Sequence, residues 1–119
     1  MTLLKNNGAL PIDINNIKKI AVVGPNADNI NALLGNYHGT PSNPVTFING
    51  LNDYVSKKAE ITYSKGVDLV KDGDDGLNLL SDSIINEVKI ADMAIFVGGL
   101  DATWEGEEMP GGINIDGFY

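Results

Sequence analysis

Lys19-Ile20-Ala21-Val22-Val23-Gly24 constrains the fold more than any other stretch of this 119-residue chain. Its continuous β-branched run carries no polar alternation, which fits a strand buried on both faces, as in a parallel sheet. Parallel neighbours need crossover connections, so helices are expected between the strands. Two shorter strands follow, at Ile61-Thr62-Tyr63 and at Ala94-Ile95-Phe96-Val97, the latter reading as buried. Helical spacing is expected through Ile30, Leu33 and Leu34, ending at Gly35. A second helix is predicted after the cap Thr46, with Phe47, Leu51, Tyr54 and Val55 as its apolar face. Leu77, Leu80 or Ser81, Ile84 and Val88 predict a third. The fold class is α/β, a three-layer sandwich with a mostly parallel sheet. Three strands make a plausible half of such a sheet, so an incomplete domain is expected.

The net charge of −8 disfavours a nucleic-acid backbone or an anionic membrane as partner, and leaves a neutral substrate open. There is no Cys and a single His, His38, so a zinc site would have to be built almost wholly from carboxylates. Met1 to Pro11 lacks the basic and apolar regions of a signal peptide. The corner Gly24-Pro25-Asn26-Ala27 has too few glycines to cradle a phosphate and reads as structural. Asp68 to Gly76 lacks the closing Glu of a calcium loop.

The chemistry concentrates after the last strand. Gly98-Gly99 bends the chain into a loop with the single Trp, Trp104, and with Glu105, Glu107 and Glu108. Clustered carboxylates raise one another's pKa, and an adjacent indole acts in the same direction. A general acid at neutral pH needs such a raised value. Trp104 offers a flat face for a sugar ring. A solvated acidic loop accounts for the same residues, and the spacing does not choose between the two. In a non-catalytic carbohydrate-binding or docking module, Trp104 and Tyr37 would stack on a sugar, and His38 is a further candidate contact. A small α/β ligand-binding domain is a third possibility.

Four motifs in order then resemble glycoside hydrolase family 3 along nearly the whole chain. They are LLKNNGALP at 3–11, IAVVGPNA at 20–27, GNYHGTP at 35–41, and VGGL at 97–100 followed by EGEEM at 105–109. The resemblance implies a retaining β-glucosidase or β-xylosidase without cofactor or metal. Its nucleophilic Asp sits on an N-terminal (β/α)8 barrel, and its second, α/β domain lends a Glu as acid/base. Carried onto this chain, the acid/base is Glu105, with Glu107 as the alternative, and Trp104, Tyr37 and His38 would contact the substrate. Residues 1–18 would lead in from the barrel, which is not in this sequence, and 19–119 would form the first part of a truncated α/β domain. The implied substrate is a β-linked glucoside or xyloside, as in xylan degradation.

Overall fold

A computed structural model of the chain describes residues 2–34, 39–69 and 80–102. Strand β1 (Lys19–Val23) is the centre of a three-stranded parallel sheet in the order β2-β1-β3. It pairs with β2 (Glu60–Ser64) from Lys19↔Glu60 to Val23↔Ser64, and with β3 (Met93–Phe96) from Ile20↔Met93 to Val23↔Phe96. Ile20 through Val23 are all buried, as the β-branched run required.

Helix α1 (Phe47–Val55) links β1 to β2. Its cap is the predicted Thr46, whose Oγ1 accepts from the Asn49 N–H and donates to Asp28 Oδ1 at 2.9 Å. The helix ends where Ser56 and Lys57 take positive φ, which breaks its hydrogen-bond ladder. Its buried side differs from the sequence reading. Ile48, Leu51 and Val55 face the sheet, whereas Phe47 and Tyr54 are exposed. Both sets have helical spacing, so only the angle at which the helix lands on Ile20 and Val22 decides between them.

Helix α2 (Asp82–Lys89) links β2 to β3 and is capped by Ser81. The crossover from β1 to β2 and the one from β2 past β1 to β3 run in opposite directions, and right-handed connections therefore put the helices on opposite faces. The side chains agree. Ile20, Val22, Ile61 and Ile95 share one face with α1, while Val23 and Leu80 close on Gly66 on the other. There Glu87 of α2 lies 3.5 Å from Ser64 Oγ. A small parallel sheet with a helix on each face is the expected α/β arrangement.

Two further expectations change. The span Ile30–Leu33 is a single 3₁₀ turn capped by Asn29, not an α-helix, because the chain bends out at Leu34 after one turn. Strand β3 alternates in burial. Ile95 packs on the core, but Ala94 and Phe96 are exposed on the α2 face, because α2 is tied to β2, two strands away. Leu77, expected in the third helix, lies outside the described residues.

At the amino end of the sheet, the Lys18 and Lys19 N–H groups donate to Asp92 Oδ2 at 2.8 and 3.0 Å. These bonds hold the Asp92 carboxyl below the ordinary aspartate range. A group whose folded pKa is depressed stabilises above its unfolded value and loses that contribution as pH falls through the folded one. Asp92→Asn should therefore lower the thermal midpoint near neutrality. The gap to the wild type should shrink as pH falls below about 4. A gap that stays constant across this range would show that the charge plays no part.

Candidate functional site

In an open α/β sheet, the crevice lies outside the carboxyl ends of the strands, where the strand order reverses. Here the order reverses at β1, so that crevice is flanked by the segments leaving β1 and β3. Gly24 and Gly99 make both departures possible, with φ of +133° and +130°, values that side-chain-bearing residues rarely adopt. At Gly24 the two segments touch. A Cβ there would lie 2.2 Å from the Val97 carbonyl oxygen, so only glycine permits this approach.

Polar groups then tie the segments together. The Asn26 N–H donates to the Val97 carbonyl at 3.2 Å, and Asn26 Nδ2 donates to the Gly99 carbonyl at 2.9 Å. Asn29 Nδ2 donates to Asp101 Oδ2 at 3.0 Å and to Asn26 Oδ1 at 3.3 Å, while its Oδ1 accepts from the Asn31 N–H. Both amide hydrogens and the carbonyl of Asn29 are thus engaged. Asp101 is only 6% exposed, an unusual position for a carboxylate that has not been paired or hydrogen-bonded.

Trp104, Glu105, Glu107, Tyr37 and His38 lie outside the described residues. Their stems are described. The segment with Trp104, Glu105 and Glu107 starts just after Asp101 and Ala102, and the segment with Tyr37 and His38 follows the turn that Asn29 caps. Both candidate stretches therefore lead out of one hydrogen-bonded cluster. From Asp101, four residues of extended chain reach at most about 14 Å, which bounds the distance to Glu105.

The cluster was not legible beforehand. Asn26 reads as a corner residue, nothing local singles out Asn29 or Asp101, and the Asn29–Asp101 bond joins positions 72 apart. Among the described residues, no group of three or more His, Cys, Asp or Glu stands together. Lys18, Lys57, Lys58 and Glu60 line an open basin at the opposite, amino end of the sheet, away from this chemistry.

Comparison with known proteins agrees with this architecture. The model of the glycosyl hydrolase family 3 C-terminal domain matches residues 1–116. A probable beta-D-xylosidase 7 of Arabidopsis thaliana is 37% identical over 109 residues, 91% of this chain and 13% of that protein. A xylan 1,4-beta-xylosidase of Xylanibacter ruminicola is 35% identical over 113 residues, 93% of this chain and 12% of the relative. A beta-xylosidase of Formosa agariphila is 35% identical over 104 residues, 82% of this chain and 14% of the relative. The chain thus spans about one eighth of the length of the curated relatives it matches. From its strand order, its motifs and these matches, the chain belongs to glycosyl hydrolase family 3, within the stretch that forms the family's C-terminal domain.

Proposed function

We propose that this chain is part of a longer retaining β-glycosidase, to which it contributes the general acid/base. Residues 1–18 lead in from an N-terminal barrel domain that supplies the nucleophilic carboxylate, and 19–119 form the first part of the α/β domain. Glu105 is the acid/base, with Glu107 as the alternative, and Trp104, Tyr37 and His38 line the sugar site. The names of the relatives favour a β-xyloside over a β-glucoside. The observation that supports the reading is the strand reversal at β1, because residues 97–102, which lead to the acidic stretch, leave β3 beside the crevice that the reversal opens.

In the reaction, one carboxylate attacks the anomeric carbon while the other protonates the departing oxygen. Water then cleaves the glycosyl-enzyme, with the second carboxyl now acting as base. The two carboxyls need to stand about 5–5.5 Å apart, a distance a two-domain enzyme sets at its interface.

The whole enzyme, given p-nitrophenyl β-xyloside, should form β-xylose first, visible by proton NMR before mutarotation. The 119-residue chain alone should release no p-nitrophenol. An α-anomer as first product would rule out the retaining mechanism, and hydrolysis by the isolated chain would rule out a shared site. Saturable sugar binding by the whole protein without hydrolysis would favour a docking module.

A further inference from the structure

We infer that Asn29 and Asp101, with Asn26 beside them, act as a positioning clasp for the proton donor. The inference rests on the reading of Glu105, or its neighbour Glu107, as the acid/base.

The segment that leads to these carboxylates begins with a soft joint. Strand pairing ends at Phe96, and Gly98-Gly99 follows, with Gly99 at φ +130°. Two consecutive glycines have the widest backbone freedom available, so where Leu100 and Asp101 lie depends on what ties the chain on the far side. The ties are present. Asn26 holds the segment at Val97 and Gly99, and Asn29 holds it at Asp101, two residues past the joint. All of these bonds come from the corner after β1, whose backbone is fixed by the Gly24 N–H to the Ser64 carbonyl and by the Ile48 N–H to the Ala27 carbonyl. The joint is thus bridged on both sides by a rigid element.

A corner that needed only stability had the Asn26 bonds for it. The Asn29–Asp101 bond adds a fixed point on the outgoing side, nearest the acidic loop. A carboxylate acceptor makes it a charge-assisted bond, stronger than the neutral amide contacts beside it. General acid catalysis needs the donor within hydrogen-bond reach of the departing oxygen. A misplacement of about 1 Å can cost on the order of 10²-fold.

The test compares two substrates of the whole enzyme by kcat/KM, which reports the first, glycosylating step. From xylobiose the departing xylose is a poor alkoxide and needs the proton, whereas from dinitrophenyl β-xyloside the dinitrophenolate leaves without it. Asn29→Ala should lower kcat/KM on xylobiose by roughly 10- to 100-fold and on the aryl xyloside by less than about threefold. The exchange pair N29D/D101N rebuilds the bond with its polarity reversed and should restore most of the xylobiose activity. Asn29→Asp alone sets two carboxylates face to face and should not. If Asn29→Ala does not accumulate, the contrast between Asn29→Asp and the exchange pair gives the same answer.

Equal losses on both substrates, or no loss on either, would overturn the clasp and leave a purely structural corner. Glu105→Gln and Glu107→Gln run alongside separate the two ideas. If neither shows the leaving-group contrast, the acid/base reading fails and the clasp falls with it. If one shows it and Asn29→Ala does not, the clasp alone is wrong.

Discussion

Glu105→Gln in the whole enzyme should, on the proposed reading of Glu105 as the acid/base, lower kcat/KM on xylobiose by roughly 10²–10⁴, the range lost with a general acid. The amide keeps the shape of the side chain and cannot donate a carboxyl proton, so the departing xylose must leave as an alkoxide. On dinitrophenyl β-xyloside the leaving group is stable as an anion, and kcat/KM should change little. Its kcat should nevertheless fall, because the second step has lost the base that activates water. KM should fall with it as the glycosyl-enzyme accumulates. Azide tests the same point without a proton. In Glu105→Ala it can attack the anomeric carbon, forming a C–N bond as the ester to the nucleophile breaks and the carboxylate is released. The product should be a β-glycosyl azide. Equal losses on both substrates, with no azide product, would assign Glu105 a binding role. The full pattern seen at Glu107 instead would move the acid/base by two residues.

Gly24→Ala should act instead through the fold, where the segments leaving β1 and β3 touch. The added Cβ would lie 2.2, 2.7 and 2.8 Å from the oxygen, carbon and nitrogen of Val97. All three are backbone atoms, and none can turn aside as a side chain would. Val97 is itself held by its N–H to the Val23 carbonyl at 2.8 Å and by its carbonyl to the Asn26 N–H. Relief of the clash therefore requires parting β1 from the segment leaving β3. Steric overlap in a packed region costs about 1–3 kcal/mol, and the φ of +133° adds a similar cost for any residue with a Cβ. The sum, about 4 kcal/mol, should lower the thermal midpoint of the domain by roughly ten degrees. Gly8→Ala is the control, since Gly8 also has positive φ, +97°, but nothing lies within 4 Å of its would-be Cβ. It should lower the midpoint by only a few degrees. Similar midpoints for the two variants would mean that the Val97 contact imposes no constraint.

How much of this was legible in the sequence varies by element, for physical reasons. The central strand was legible because burial on both faces leaves a mark in composition, and Ile20 to Val23 carry it without interruption. The start of α1 was legible because a cap is a local bond between Thr46 and Asn49. Its buried side was misread, since Phe47 and Tyr54 recur at spacings as helical as those of Ile48 and Val55. The exposure of Phe96 was invisible for a related reason. An apolar strand residue shows what it tolerates, and the position of α2 decides what covers it.

The chemistry divides in the same way. The acidic loop stood out as a motif, and the order of the four motifs is enough to indicate the family. Its anchoring did not stand out, because Asn26 and Asn29 meet Gly99 and Asp101 across more than seventy residues of chain. What the sequence by itself determined was the set of strands and their parallel character, since both are written in local composition and spacing, and it supplied the candidates for moving a proton. Only the tertiary structure decided that β1 lies between β2 and β3, and thus that the corner after the first strand grips the chain leaving the last. That depends on which strand ends fold together, and no local pattern encodes it.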